Sequence, residues 1–329
     1  MSSSVRRKPV SVTIGDRELV LFRNNAGAIG ALDDRCPHRG MRLSRGRVSE
    51  GRLTCPYHGW SFCPAGDAAS PVTPWLRLRV SALETAERYG LVWVREPGKT
   101  EDVPEHDEPG MRFVRCLTRI VRAPLASVMD NFTEVEHTGV SHWQFGYDPD
   151  RMSEILIETE SDAETVRVRT DGPQRPLGLP ARLGFGISQG MRLICEWETS
   201  LVPTRSVWRW RWQDPRTGAP VGRRFKAVAY FNPVSPHVTQ LVTFYYWSAH
   251  SIDRIGFALA VRPFLRLATQ YEVALDIALM EGLASDGAGI PPSGTSRFDA
   301  ALVEQRRRLA RTQAMAHGAS APTRPAISE

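Results

Sequence analysis

The chain has 329 residues, of which 42% are hydrophobic and 24% are charged, and its formal net charge is +6 at neutral pH. This composition is typical of a folded globular protein with room for two domains, and it excludes a disordered or fibrous chain. The basic residues are spread along the sequence, so the charge does not favour a nucleic-acid partner and fits a solvated surface or an acidic redox partner.

Three features of the sequence predict a cytoplasmic protein without a membrane segment. No apolar segment follows the basic residues 6–8, so a secretory signal is not expected. The longest apolar stretch, residues 255–261, is too short to cross a bilayer. Three of the five cysteines lack the spacing of a disulfide framework, which is typical of a reducing compartment, and these are Cys63, Cys116 and Cys195.

The first hundred residues are predicted to form a small β domain. Short apolar or alternating runs are separated by turns rich in glycine and proline. The predicted strands are residues 10–14, 19–22, 76–80 and 91–94.

Two metal-ligand motifs, Cys36-x-His38 and Cys55-x-x-His58, lie on the predicted turns of this domain. A zinc finger would place both cysteines before both histidines, so a structural zinc site is the weaker alternative. The alternating order suits a [2Fe–2S] cluster in which the cysteines hold one iron and the histidines hold the other, the Rieske arrangement. Because neutral imidazoles replace two thiolates, the reduction potential of such a cluster is raised. These motifs therefore predict a one-electron relay.

A polar linker at residues 96–110 is predicted to separate this domain from a second one. In the second domain we expect a set of strands followed by a helix over residues 251–284, interrupted near Pro263. A glycine- and proline-rich stretch at 172–190 is predicted to be a loop or a mobile flap. Alternation places three tryptophans on one sheet face, as core residues. They are Trp208, Trp210 and Trp212. The predicted strands are 112–122, 152–170, 191–202, 206–213, 224–232 and 238–248.

A second group of candidate metal ligands follows the linker. Asn131, Glu134 and His137 are spaced by three residues, so a helix would place them on one polar stripe. His142 comes five residues after His137, so a continuous helix would place it away from this stripe. A break at Gly139 would turn it back toward the stripe. Two histidines and one carboxylate from a distant segment form the facial triad of non-haem iron oxygenases. Glu134 is predicted to accept a hydrogen bond from the first histidine.

The whole chain resembles the oxygenase α subunits of the Rieske non-haem iron family, because it carries both the cluster motifs and the iron motif Asn131-x-x-Glu134-x-x-His137-x-x-x-x-His142. The family usually has aspartate where this chain has Glu134. The resemblance implies an α+β fold, with an all-β Rieske domain at 1–105 and a catalytic non-haem iron domain at 106–312. The catalytic domain would be a helix-grip fold, an antiparallel sheet with a long C-terminal helix. The remaining residues, 313–329, are predicted to be a disordered tail.

The resemblance also implies how electrons reach the iron. It implies a head-to-tail homotrimer, in which His58 passes electrons through Glu134 to the Fe(II) of a neighbouring subunit. The electrons would come from NAD(P)H through a separate reductase or ferredoxin. Asn131 would support the site through hydrogen bonds. The length resembles the monooxygenase and demethylase branch, so we expect hydroxylation or oxidative demethylation of a small organic substrate, with an aromatic one as a candidate.

The third iron ligand is open between two residues of the predicted helix. The family's pattern, an aspartate followed five positions later by glutamate, matches Asp276 and Glu281, so Asp276 is the preferred ligand. A rival register places Tyr271 at the ligand position and makes Glu272 the nearest carboxylate. Because Glu272 and Asp276 are one helical turn apart on one face, the sequence does not separate them.

Two other functions are consistent with parts of the sequence. A Rieske electron-transfer protein would need only the first hundred residues and no second histidine pair. A substrate-binding homologue with a degenerate iron site would keep the fold without the oxygen chemistry. Arg182 and Arg192 are weak candidates for binding an anionic substrate, since a surface role is more common for arginine.

Overall fold

The structure, a computed structural model, describes residues 1–15, 17–142, 146–248, 262–283 and 296–316, with side chains to residue 312. The predicted helical segment 251–261 and the tail from residue 317 lie outside the described residues. Two units make up the chain, Met1–His106 and Asp107–Glu329. Among the described residues, no helix has both the length and the apolar character needed to span a bilayer.

The first unit is all β apart from two short 3-10 helices, Ser2–Ser4 and Leu43–Arg45. Its strands form a five-stranded sheet in the order β1-β2-β3-β8-β9 and a four-stranded sheet in the order β4-β5-β6-β7. All neighbouring strands are antiparallel. The strands are β1 Val10–Ile14, β2 Arg17–Arg23, β3 Ile29–Asp33, β4 Arg47–Ser49, β5 Arg52–Thr54, β6 Ser61–Phe62, β7 Ala68–Ala69, β8 Ala82–Arg88 and β9 Leu91–Arg95.

The strand predicted at 76–80 is wrong. Only Arg79 of this segment forms a bridge, with Asp67, and β8 begins two residues later than the segment ends. The segment instead lies beside the turn at Gly66, where a Cβ atom would lie 2.1 Å from the carbonyl oxygen of Val80. The segment therefore contributes one isolated bridge and no strand.

The second unit is built on one antiparallel seven-stranded sheet in the order β10-β16-β15-β14-β13-β12-β11. Strands β11 to β16 follow one another as a meander, and β10 lies beside β16 at the opposite edge. The segment predicted as one strand at 152–170 is divided, because Asp162 accepts the amides of Glu164 and Thr165 in a turn. The strands are β10 Met111–Val121, β11 Leu156–Ser161, β12 Thr165–Pro173, β13 Arg192–Leu201, β14 Thr204–Gln213, β15 Pro220–Ser235 and β16 Val238–Ser248.

Alternation along β13 and β14 separates an apolar face of the sheet from a charged one. Trp197 is paired with Trp208, and their rings stack 4.4 Å apart at an interplanar angle of 4°. On the opposite face Glu196 accepts from Arg211 at 2.9 Å. The apolar face carries the core of this unit, including all three tryptophans of β14.

Helices cover the apolar face of this sheet. The longest, α4, packs against β10 and α1 and buries Leu265, Val273 and Met280 in the core. Pro263 lies in its first turn, where no intrahelical N–H partner is required.

The loop predicted at 172–190 contains α3. The final helix continues beyond Gln313, so the predicted tail starts too early. The helices are α1 Leu125–Asn131, α2 Glu136–Ser141, α3 Leu179–Phe185, α4 Arg262–Gly282 and α5 Ala300–Ala316, with a 3-10 helix at Pro149–Glu154.

Candidate functional site

Two loops of the first unit present the predicted cluster ligands in matching backbone conformations. The amide of Cys36 donates to the carbonyl five residues on at 2.8 Å, and the amide of Gly40 donates back to Cys36 at 2.8 Å. The same two bonds recur at Cys55 and Gly59, at 2.7 and 3.2 Å. Both glycines have positive φ, 70° and 72°, a backbone conformation that favours glycine. The two motifs therefore form structurally equivalent ligand loops.

The donor atoms of these loops fit a Rieske cluster. Cys36 and Cys55 are buried in the core below the loops, whereas His38 is exposed and His58 is half-buried. The two imidazole rings lie 4.8 Å apart, centre to centre. Burial and the neighbouring Cys55 thiol raise the pKa of the Cys36 thiol, while the amides of His38 and Arg39 act in the opposite direction by favouring the thiolate. Two thiolates would thus hold the inner iron and two imidazoles the outer one.

The predicted polar helical stripe is wrong, because the segment forms two short helices. Asn131 ends α1, Glu134 lies in the intervening turn, and His137 is in the first turn of α2. Thr133 stabilises the break, since its hydroxyl donates to the carbonyl of Met129 at 2.8 Å.

Gly139 does not break α2 as predicted. It lies inside the helix at a close contact, where a Cβ atom would be 2.7 Å from Sδ of Met152. His142 directly follows the end of α2 and has extended backbone angles. The chain therefore turns after Ser141, and this turn brings the second histidine back toward the first.

His137, His142 and Asp276 come together although α4 is distant in sequence. Oδ1 of Asp276 lies 2.8 Å from Nε2 of His142 and 3.4 Å from Nε2 of His137. One ligand atom from each residue lies within 4.8 Å of the other two. Asn131 donates through Nδ2 to the same Asp276 oxygen at 3.2 Å. Two imidazole nitrogens and one carboxylate oxygen are the donor set of a facial triad, so these residues fit a mononuclear iron.

Each histidine has a glutamate on its other ring nitrogen. Glu134 contacts Nδ1 of His137, and its second oxygen accepts the backbone amide of the same residue at 3.1 Å. Oε2 of Glu272 lies 3.1 Å from Nδ1 of His142. In this arrangement both Nε2 atoms face Asp276, whereas Glu272 is on the opposite nitrogen of its histidine.

Further residues stabilise this segment, and no sequence motif indicates them. Arg175 donates to the carbonyl oxygen of His142, and Arg306 of α5 forms an ion pair with Asp130 at the end of α1. The Arg306 Nε lies 2.9 Å from one oxygen of that carboxylate and 2.7 Å from the other. These partners lie 33 and 176 residues away along the chain, so no local pattern indicates them.

A cavity beside the three ligands has mainly aromatic and aliphatic walls. Arg182 and Arg192 are not among the described residues that line it, and Arg192 forms an ion pair with Asp171 at 2.6 Å. The described geometry therefore gives no support to an anion site at these arginines. The aromatic lining residues are Phe132, Tyr147, Trp208, Trp210, Phe225 and Tyr245.

The pKa values of the ligand residues are linked through these contacts. Burial alone would lower the pKa of His137, but its hydrogen bonds to Asp276 and Glu134 outweigh burial and raise it to about 9. Burial would raise the pKa of Asp276, but the hydrogen bonds from both histidines hold it below its usual range. Without a metal, His137 is therefore protonated at neutral pH.

Metal binding is expected to displace this proton, because a ligating imidazole must be neutral. At pH 7.5 we expect release of about one proton per metal ion, falling to about half near the His137 pKa of about 9. The apparent metal affinity should accordingly rise with pH up to that value and then level off. Calorimetric titration with Co(II) in buffers of different ionisation enthalpy measures the release. Binding at pH 7.5 without proton release would contradict this assignment.

Comparison with known proteins supports the prediction that the first unit is a Rieske domain. The family model of the Rieske [2Fe-2S] domain matches residues 1–76. Methylxanthine N3-demethylase of Pseudomonas putida is 29% identical over 194 residues, which is 54% of this chain and 54% of that protein. Chlorophyllide a oxygenase of Chlamydomonas reinhardtii is 36% identical over 132 residues, 37% of this chain and 20% of that protein. The chain thus spans between a fifth and about half of the length of these relatives.

Solved structures match over both units. Dicamba monooxygenase bound to 3,6-dichlorosalicylic acid superposes with a TM-score of 0.77 at 21% identity, covering 96% of each chain. A methylxanthine demethylase variant of Pseudomonas putida with caffeine gives a TM-score of 0.69 at 20% identity, covering 95% of this chain and 86% of that one. The predicted α+β fold, with a Rieske domain at the N-terminus, is confirmed.

Proposed function

We propose that the chain is a Rieske oxygenase of the monooxygenase and demethylase branch and the terminal oxygenase of a multicomponent system, because it has a matched Rieske domain and is similar to demethylases over about half of its length. The proposed reaction is hydroxylation or oxidative demethylation of a small organic substrate. One observation carries the proposal most directly: two imidazoles and a carboxylate converge beside an apolar cavity in a chain that also has a Rieske domain.

We assign the [2Fe–2S] cluster to Cys36, His38, Cys55 and His58, and the mononuclear iron to His137, His142 and Asp276. When bound, the cluster supplies single electrons and the iron supplies oxygen activation. Asp276 is preferred over Glu272 because it faces Nε2 of both histidines.

The chain's own side chains would position the metal ligands and bind the substrate. Glu134 accepts from Nδ1 of His137 and so keeps its Nε2 available as a ligand. Asn131 donates to the Asp276 carboxylate and restricts its orientation. The aromatic walls would bind an apolar substrate and exclude water from it.

The proposal includes the electron supply. A reductase or ferredoxin using NAD(P)H would reduce the cluster, and His58 would pass electrons through Glu134 to a neighbouring subunit of a homotrimer. These features follow from the family resemblance. Replacement of the usual aspartate by Glu134 retains the negative charge and adds one methylene, and its contact with His137 supports the same role.

Oxygen consumption tests the proposed function. Purified protein, loaded with iron and given a surrogate ferredoxin reductase and NADH, should consume O₂ faster when a methylated aromatic compound from a test panel is bound. Product analysis should find one added oxygen atom or a lost methyl group. A protein that is reduced at its cluster but holds only the two cluster irons per chain would instead be an electron-transfer protein. A protein with full iron that consumes no O₂ with any compound would support the substrate-binding alternative.

A further inference from the structure

Glu272 is a buried carboxylate of α4 that lines the same cavity as the three proposed ligands. Its side chain is 6% exposed, and its Oε2 lies 3.1 Å from Nδ1 of His142. The Nε2 atom on the other side of that ring lies 2.8 Å from Asp276. The imidazole of His142 is therefore held between two carboxylates of α4, one on each nitrogen.

The same arrangement is present at the other histidine. His137 has Glu134 on Nδ1 and Asp276 on the Nε2 side. Glu134 comes from the turn between α1 and α2, whereas Glu272 comes from α4, so the two glutamates approach the site from separate elements. The site is thus nearly symmetrical, with each Nδ1 on a glutamate and both Nε2 atoms on one shared aspartate.

The chemistry of imidazole gives this arrangement a consequence. A neutral histidine carries one N–H, and the other nitrogen has the lone pair that binds a metal. In the metal-free site, Nε2 of His142 lies 2.8 Å from the Asp276 carboxylate, a contact that a proton on Nε2 satisfies. A metal bound at Nε2 would use the lone pair of that nitrogen and require the proton on Nδ1, where Oε2 of Glu272 lies 3.1 Å away as an acceptor.

We propose that Glu272 is a positioning residue for His142, which fixes its Nδ1–H tautomer and its ring orientation and adds negative charge next to the metal site. The inference rests on the proposed function, because it takes His142 as a metal ligand. It separates the two carboxylates of α4 by role: Asp276 binds the metal, and Glu272 binds the histidine.

Burial supports this role over a purely structural one. An ionised carboxylate removed from water is destabilising by several kcal/mol unless it is compensated. Glu272 lies on the face of α4 that buries Val273 and Met280 in the core, where an apolar side chain would pack well. A charge at this position would be stabilised by an N–H on Nδ1 of His142 and by a nearby cation, and a metal bound at the proposed site would supply both.

Cobalt replacement tests the proposal with a spectroscopic readout. Co(II) is exchanged into the mononuclear site of the full protein with the [2Fe–2S] cluster in place, and its affinity is measured by chelator competition. Proton NMR of this form detects ligand N–H protons as shifted signals that disappear in D₂O. Wild type and Tyr271→Phe, a control on the outward side of α4, should show two such signals.

Glu272→Ala should lose the His142 signal through fast exchange and bind Co(II) about 10- to 100-fold more weakly, the usual effect of losing an outer partner of a ligating histidine. Glu272→Gln should keep the signal and lose less affinity, because its amide oxygen still accepts the N–H. Helical circular dichroism and the cluster absorption verify the fold of each variant.

Two results would overturn the proposal. Glu272→Ala with wild-type affinity and both signals would show that the contact has no role. Glu272→Gln that abolishes Co(II) binding, with Asp276→Asn retaining it, would make Glu272 the ligand. Failure of the proposed oxygenase function is separate, because it would leave these Co(II) results unchanged while no compound stimulates O₂ consumption.

Discussion

His137→Ala is expected to remove the mononuclear iron and leave the Rieske cluster intact. The iron content should fall from about three to about two per chain, since the cluster retains its own two. Substrate-dependent O₂ consumption should fall by more than the roughly 10–100-fold loss that follows removal of an outer partner of a ligand. Iron analysis and the visible spectrum of the cluster measure the two sites separately.

The matched control for this variant is His237→Ala. His237 is exposed in the turn between β15 and β16, so its loss should change neither iron content nor O₂ consumption. Retained turnover in His137→Ala, with the cluster intact, would refute the assignment of this histidine. Equal loss in both variants would indicate a general effect on folding.

The second large effect is expected from Cys55→Ser, which should abolish the cluster. The Cys55 thiolate is one of only two sulfur donors in the proposed ligand set, and serine replaces it with a poor iron ligand. The Rieske absorption should disappear, and the iron content should fall from about three to about one per chain. The first unit should also lose stability, because binding of a metal group to a folded site contributes to folding.

Cys63→Ser provides the control in the same unit. Cys63 is half-buried and its thiol contacts Asp67, outside the two ligand loops. This variant should keep the full Rieske absorption. Cys55→Ser with an unchanged cluster spectrum would refute the ligand assignment. Co(II) binding at the mononuclear site should persist in both variants, since its ligands lie in the other unit.

Local ligand spacing was the most informative part of the sequence. The motifs at Cys36 and Cys55 are short, and each folds into a tight loop closed by its own backbone bonds. Because every ligand in such a loop is within three residues of its partner, the sequence alone predicts both the donors and their grouping. The apolar alternation of β13 and β14 also predicted which side chains share a face of the sheet, since successive side chains of a strand point to opposite faces.

Predictions that depended on helix continuity were less accurate. The stripe from Asn131 to His137 assumed one helix, but hydrogen bonds of Thr133 to Met129 and Gln305 stabilise a break within it. One of these partners is 172 residues away, on α5. Gly139 was expected to end the helix because glycine often does, yet it lies at a close contact with Met152 instead.

The sequence by itself predicted the cluster ligands and the histidine pair from short spacings, and it predicted the α+β class through the family resemblance that these motifs carry. Only the tertiary structure decided between Asp276 and Glu272 as the residue facing both histidines, since two positions one helical turn apart share a face. Their roles differ through contacts with His142, which is 134 residues away from Asp276 in the chain. Such long-range contacts are fixed by the packing of α4 beside β10 and α1, and no local pattern records them.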